Sequence, residues 1–213
     1  MTKYPVRKIT QKEVGKSTIG AQKIWIDRTS GRINTEERGD LLGAFDTGDQ
    51  ILAVYKNGTY EMTDYELTNR YDPATAMCVV RHQPGMVVSA LYYDADKKAS
   101  YVKRFEIETT SQGQKFGFIG ENSRSQLLYV SIDKTPQISY KYRADKTSKD
   151  AKLDFAKFID VKGWKAQGNK LGTYKPQAIK DLEEEKAPAK TKKDKKEPPS
   201  GTLGVGAQIE FDL

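Results

Sequence analysis

The stretch QILAVYKNGTYEM, residues 50–62, decides the fold class of this chain. Two runs rich in β-branched and aromatic residues flank the dipeptide Asn57-Gly58. Asn-Gly favours the positive φ angles of the tight turns that join antiparallel strands. The stretch therefore predicts a β-hairpin with its turn at residues 57 and 58.

Further stretches share this plan of strand-forming flanks around a turn-forming centre. They are KIWIDRTSGRIN (23–34), MVVSALYYDADKKASYVKRFEIE (86–108), LLYVSIDKTPQISYKY (127–142) and KFIDVKGWKAQGNKLGTY (157–174). The predicted hairpin centres fall near residues 30, 58, 97, 135 and 167. No segment before the C-terminal tail has the pattern of a long, capped amphipathic helix. We therefore predict an all-β body.

A repeated motif lies within this pattern. QGQKF (112–116) and QGNKL (167–171) share Gln-Gly-x-Lys followed by an apolar residue, and GAQKI (20–24) is a looser copy. Repeats made of strands alone favour a propeller-like architecture of four-stranded blades, with a sandwich or a barrel as the alternative. Three to five blades fit the spacing of the repeats.

The composition changes near residue 181. Residues 1–180 are predicted to form the folded domain, and 181–202 (DLEEEKAPAKTKKDKKEPPSGT) read as a disordered linker rich in Lys, Glu and Pro. Residues 203–213 end in QIEFDL, which alternates as a strand does. This segment either pairs with an open blade edge or forms a frayed acidic terminus.

The positive charge belongs to the body and not to the tail. The 213 residues carry a formal net charge of +7. Residues 1–182 hold 30 Lys and Arg against 22 Asp and Glu, a balance of +8, whereas 183–213 hold 6 against 7. A basic body favours a polyanionic partner, nucleic acid first and an anionic membrane surface second.

No catalytic motif stands out in the sequence. Gly15-Lys16-Ser17-Thr18 resembles the end of a nucleotide phosphate loop, but the first glycine of that loop would fall at Thr10. His82 and Cys78 are the only residues of their types, which excludes a histidine metal cage and an intrachain disulfide. We expect no catalysis, metal or cofactor in this chain. The absence of a signal peptide and of a long apolar run favours the cytoplasm and no membrane.

Basic residues recur at predicted turns and strand ends, where they could form a ring that contacts DNA phosphates. A solvated surface of mixed charge is the alternative for any one of them. The predicted DNA-binding residues are Lys12, Lys16, Lys23, Arg28, Arg32, Arg38, Lys97, Lys98, Lys103, Arg104, Lys115, Arg124, Lys141, Arg143, Lys162, Lys165 and Lys170.

The sequence resembles the C-terminal domain of bacterial type IIA topoisomerase A subunits. DQILAVYKNGTYEMTDYEL (49–67) is similar to the family's blade, which runs through a strand, an Asn-Gly turn and a second strand to a helix-like exit. The two Gln-Gly-x-Lys copies resemble its step between blades. QKEVGKS (11–17) resembles a degenerate gyrase-A box, in which Gln11, Lys12, Gly15 and Lys16 match and Glu13, Val14 and Ser17 depart. The resemblance implies that the four matching residues, Gln11 and Gly15 included, bind DNA.

The resemblance implies a β-pinwheel, a propeller variant with hairpin-swapped blades that binds and bends duplex DNA around its outer edge. It implies a nucleoid-associated, non-catalytic domain that positions the transported DNA segment. The remainder of the A subunit and the ATPase B subunit would be its partners, with ATP and Mg²⁺ used elsewhere in the enzyme. The degenerate box favours topoisomerase IV over gyrase.

Two other kinds of binding domain remain open from the sequence. A propeller that serves as a protein-interaction module would expose apolar residues on its surface. A β-domain for RNA or single-stranded DNA would use aromatic residues such as Tyr92 and Tyr93, beside Lys97 and Lys98, as stacking platforms.

Overall fold

The computed structural model describes residues 21–108, 111–144 and 147–182, which form fourteen strands and one helix of four residues. The strands are β1 (Gln22–Asp27), β2 (Arg32–Asn34), β3 (Asp40–Phe45), β4 (Ile51–Tyr55), β5 (Thr59–Thr63), β6 (Ala76–Arg81), β7 (Val87–Asp94), β8 (Ala99–Glu106), β9 (Lys115–Gly117), β10 (Gln126–Ser131), β11 (Gln137–Ala144), β12 (Thr147–Asp154), β13 (Asn169–Gly172) and β14 (Gln177–Asp181), and the helix is α1 (Phe155–Phe158). The predicted all-β class is confirmed.

The strands form four antiparallel sheets, numbered here in chain order. Sheet 1 has the order β2-β1-β3, and sheet 2 has the order β6-β4-β5-β9. Sheet 3 has the order β10-β7-β8-β13, and sheet 4 has the order β12-β11-β14. Four sheets lie within the predicted range of three to five blades.

Each sheet is built around one hairpin, and neighbouring sheets exchange strands. The hairpins are β1–β2, β4–β5, β7–β8 and β11–β12, and a later strand (β3, β6, β10 or β14) pairs with the first strand of each. The chain then returns from the following sheet to pair with the second hairpin strand, as β9 does on β5 and β13 on β8. Arg70 makes the corresponding single bridge to Arg32 in β2. This exchange is the arrangement expected of hairpin-swapped blades.

The two Gln-Gly-x-Lys copies occupy equivalent positions in this exchange. Lys115 in β9 lies opposite Glu61, the third residue of β5, and Lys170 in β13 lies opposite Tyr101, the third residue of β8. The looser copy at residues 20–24 does not share this position, because its described residues belong to the first hairpin strand of sheet 1.

The core consists of three apolar layers between consecutive sheets. One layer joins sheets 1 and 2, another joins sheets 2 and 3, and the last joins sheets 3 and 4. In β4, Ile51 and Ala53 face sheet 1, whereas Leu52 and Val54 face sheet 3, so the whole strand is buried. Both faces of β4 are covered by neighbouring sheets, which explains why ILAVY lacks the alternating polar residues of a half-exposed strand.

Close contacts explain why glycine stands in the hairpin turns. Gly31 has a φ of +70°, and a Cβ atom there would lie 1.8 Å from the carbonyl oxygen of Tyr71. Gly58, in the predicted Asn-Gly turn, has a φ of +73° and lies beneath Ile119. A side chain at either position would meet both backbone strain and a clash.

Three predicted hairpins are confirmed and two are wrong. The turns near residues 30, 58 and 97 join paired strands. The segment near 135 instead carries the chain from β10 in sheet 3 to β11 in sheet 4. The segment near 167 leads from α1 to β13, which pairs with β8. The stretch after residue 63, for which a helix-like exit was predicted, forms loops and turns. The hairpin β11–β12 was missed.

Candidate nucleic-acid interface

The structure exposes thirteen of the predicted DNA-binding residues. They are Lys23, Arg28, Arg32, Arg38, Lys97, Lys98, Lys115, Arg124, Lys141, Arg143, Lys162, Lys165 and Lys170. They are distributed over all four sheets and their connections. The gyrase-box residues Gln11, Lys12, Gly15 and Lys16 lie outside the described residues.

Lys103 is a correction to the predicted interface, because its side chain is buried within the core. It is 2% exposed, and its ammonium donates a hydrogen bond of 2.6 Å to the carbonyl oxygen of Phe118. The same ammonium lies 5.2 Å from the ring centroid of Phe105 and 5.6 Å from that of Phe118. Burial lowers the pKa of Lys103 to about 8. This lysine cannot reach a DNA phosphate.

Arg104 is the second correction, and its role is to tie three parts of the chain together. It is 8% exposed, and its guanidinium donates to the Ser89 hydroxyl (3.3 Å), the Lys134 carbonyl (2.7 Å) and the Ile159 carbonyl (3.5 Å). A guanidinium with its donors engaged in this way is a structural link and not a phosphate contact.

Several basic residues share the outer face of sheet 4. Ser139 in β11 pairs with Lys152 of β12 on one side and with Lys180 of β14 on the other. Directly opposed residues project from the same face of a sheet, and so do residues two apart on a strand. Lys141 and Arg143 therefore join Lys152 and Lys180, and these four residues are called the basic face below.

The basic face is open to solvent, and two acidic residues, Asp150 and Asp154, project from it beside the four basic ones. All four of its basic residues are exposed. Asp150 is the acidic residue that lies opposite Lys141 in the pairing, with a 3.7 Å ion pair between two exposed side chains. Exposed pairs of this kind contribute about 0–1 kcal/mol, so a phosphate could displace the carboxylate. The opposite face of sheet 4 packs Ile138 and Leu153 into the core.

Lys152 and Lys180 were missed by the sequence analysis. Both belong to segments that were not recognised as strands, TSKDAKLD and QAIKD. In TSKDAKLD the inward residues are Leu153 and Ala151, so strand alternation from Leu153 would have placed Lys152 on the outer face. The signal was present but weak, because only one large apolar residue marks the strand.

A second basic cluster surrounds a cavity of about 320 Å³ between sheets 2 and 3. Lys97 from the β7–β8 turn and Lys165 from the loop before β13 both line it, together with Asp94 and Trp164. The ammonium of Lys165 lies 5.3 Å from the Trp164 ring centroid. Two predicted DNA-binding residues, Lys97 and Lys165, thus line one cavity, and they are called the turn cluster below.

Charge near the first hairpin is largely balanced. Arg28 pairs with Asp40 at 2.7 Å, and Arg38 pairs with Glu36 at 3.0 Å. Arg32 shares a cavity with Arg38, Glu36 and Asp27. Hydrogen bonds from the Thr29 amide and the Ser30 hydroxyl hold the pKa of Asp27 below its usual value, so this carboxylate stays ionised. The surface of sheet 1 therefore offers a phosphate less attraction than sheet 4.

The other residues considered for chemistry have structural surroundings. Cys78 packs against the core, and burial raises the pKa of its thiol to about 11. The Asp94 carboxylate accepts the amides of Asp96 and Lys97, as a turn residue does. Within the described ranges, no group of three metal-ligating side chains comes together.

The predicted aromatic platform for single strands is not formed as expected. Tyr92 is 2% exposed and donates its hydroxyl to the Gln167 carbonyl at 2.5 Å, so its ring cannot stack on a base. Tyr93 is half-buried with the Lys175 ammonium 5.6 Å from its ring centroid.

Large apolar side chains at the surface are few in the part of the chain that the structure describes. Leu41, Leu67 and Val161 are the exposed ones, and they belong to different connections and strands. No helix among the described residues is long and apolar enough to cross a membrane.

Comparison with protein-family models identifies the family of this chain. The model of the topoisomerase C-terminal domain of Bacteroidota matches residues 32–184, which run from the first residue of β2 past the end of β14. The chain belongs to this family and is an accessory domain of a topoisomerase. No curated protein matches its sequence.

Proposed function

We propose that this domain binds duplex DNA through its exposed basic residues, without reading the base sequence, and bends the duplex against its surface. The observation that carries the proposal is the basic face of sheet 4, where Lys141, Arg143, Lys152 and Lys180 share one solvent-exposed face. Membership of a topoisomerase family makes duplex DNA the polyanion that such a face would meet.

The contacts would be made to the phosphate backbone. Three of the four residues of the basic face are lysines, whose ammonium groups are point charges without the bidentate geometry that distinguishes base edges, and the guanidinium of Arg143 can bind a phosphate. Each neutralised phosphate releases counterions, so the affinity would fall steeply with salt concentration. The turn cluster of Lys97 and Lys165 lies on another sheet and would extend the contact if the duplex bends.

In the whole enzyme the domain would hold the DNA segment that is passed through the break. We propose that it belongs to an A subunit, of the topoisomerase IV type before the gyrase type, and acts with the ATPase B subunit in the cytoplasm. Catalysis, ATP and Mg²⁺ would then be supplied by other parts of the assembly. The degenerate box at residues 11–17 supports the topoisomerase IV assignment.

A salt titration with paired charge variants tests the proposal. The variant Lys152→Gln/Lys180→Gln should lower the affinity for a 40-base-pair duplex and reduce the slope of log K against log salt by about 2, one for each lost phosphate contact. The control Lys149→Gln/Lys157→Gln removes the same charge from exposed residues that are not on the basic face.

The control should keep the wild-type slope. Equal slopes for both variants and the wild-type chain would show that the basic face does not contact phosphates. A preference for single strands over duplexes of equal charge would instead favour the single-strand alternative.

A further inference from the structure

We propose that residues 208–213, QIEFDL, pair with the free edge of β12 and complete sheet 4 as its fourth strand. The proposal concerns the architecture of the domain and does not depend on DNA binding. It assigns an intramolecular docking surface to the β12 edge and names its occupant.

The strand exchange defines which edge lacks a partner. The second strand of every other hairpin receives a segment from later in the chain: Arg70 bridges to β2, β9 pairs with β5 and β13 pairs with β8. Among the described residues β12 pairs with β11 alone. By the same rule its partner should come from the chain beyond β14, which ends at Asp181.

An edge of this length favours a partner. β12 has eight residues, and an unpaired edge strand presents a row of backbone N–H and C=O groups that another strand can satisfy. Its inward side chains include Leu153, which is 4% exposed, and Ala151, which is half-buried. A partner with apolar residues at alternate positions would extend the core layer between sheets 3 and 4.

The segment 208–213 has that alternation, and one of its two carboxylates would meet a lysine of β12. Ile209, Phe211 and Leu213 alternate with polar residues. In an antiparallel pairing with Phe211 opposite Ala151, Ile209 lies opposite Leu153 and Glu210 lies opposite Lys152. Apolar residues then meet at these two inner positions. On the outer face Glu210 meets Lys152, whereas Asp212 lies opposite Asp150, whose carboxylate is paired with Lys141.

The connection is long enough to reach. Twenty-five residues, 183–207, separate Leu182 from Gln208. A flexible chain of this length has a root-mean-square span of roughly 25–30 Å. The edge of β12 lies two strand spacings from β14, about 10 Å. No strain in the connection opposes the pairing.

Amide hydrogen exchange on the full chain tests the pairing. In an antiparallel edge strand, alternate amides point away from the neighbouring strand. We expect those amides of β12 to exchange at least about tenfold more slowly than free amides in the wild-type chain. Phe211→Pro, which removes one backbone donor and the side chain, should abolish this protection. The matched control Val205→Pro lies in the same tail before the segment and should keep it.

Two results would overturn the proposal. One is fast hydrogen exchange at the outward-pointing amides of β12 in the wild-type chain. The other is protection that survives Phe211→Pro but disappears when residues 1–20 are removed, which would make the N-terminal segment the occupant. Amides of β7 and β8 report whether each variant is folded, since both strands are paired on both sides.

Discussion

The titration of the Lys103 ammonium makes the free energy of unfolding depend on pH. The pKa of this lysine is lowered to about 8 in the folded protein because burial disfavours its charged form, whereas the unfolded value is about 10.5. Between these two values the unfolded chain binds more protons than the folded one. The contribution of Lys103 to the free energy of unfolding therefore rises as the pH increases from about 8 towards 10.5.

The magnitude follows from the difference between the two pKa values. One group with this shift adds roughly 2 to 3 kcal/mol to the free energy of unfolding between pH 7 and pH 10. Lys103→Met removes the titrating group while retaining an unbranched side chain of similar length. The wild-type stability minus that of the variant should rise by this amount over the same interval.

Urea denaturation at pH 7, 8, 9 and 10 provides the measurement. Lys98→Met, an exposed lysine on the same hairpin, serves as the control and should follow the wild-type pH dependence. Burial also raises the pKa of Tyr92 and Tyr140 in the folded protein, so stability falls as the same tyrosines of the unfolded chain ionise near pH 10. This fall occurs in the variant as well and cancels in the difference between the wild-type protein and Lys103→Met. If Lys103→Met and the wild-type protein show the same pH dependence, the lysine is not held in a desolvated site.

Three further substitutions test the structural roles of particular residues. Arg104→Met should lower the free energy of unfolding by about 1–3 kcal/mol, because it removes the donor to the carbonyls of Lys134 and Ile159, whereas Arg124→Met on the surface should change it little; equal denaturation midpoints would contradict this. Gly31→Ala should cost at least twice as much as Gly48→Ala in thermal unfolding, since both have positive φ angles but only Gly31 would direct a Cβ atom onto a backbone oxygen; equal costs would show that the turn relaxes freely. Asp49→Ala should cost about 1–3 kcal/mol in urea denaturation, because its carboxylate binds both Arg81 and the Asp46 amide at 2.7 Å; an unchanged midpoint would mean that these contacts contribute nothing.

Local patterns predicted three of the four hairpins and missed β11–β12. Asn57-Gly58 and Asp94–Lys97 encode their turns directly, so the strands around them could be found from sequence alone. The segment around Thr135-Pro136 has equally strong strand flanks but connects two sheets. Periodicity identifies a strand but not its partner, which depends on packing between distant segments.

The sequence predicted only part of the candidate interface, because the pairing and packing that place the other residues could not be read from periodicity. Lys141 and Arg143 were predicted because they lie at the end of a recognisable strand, and both are exposed. Lys103 and Arg104 were misplaced because charged residues seldom lie in a core. Only tertiary packing creates their surroundings, the rings of Phe105 and Phe118 around Lys103 and the carbonyls of Lys134 and Ile159 around Arg104. The role of Lys180 depends on its register beside Ser139, which joins residues 41 positions apart.

The central claim is that the domain binds duplex DNA along an extended surface and bends it. The most direct test is affinity for end-labelled duplexes of increasing length, with the end-to-end distance followed by fluorescence energy transfer. We expect affinity to rise with length well beyond the span of one sheet face, and the labelled ends to approach one another on binding. Weak binding that is independent of length, with no change in energy transfer, would contradict the claim.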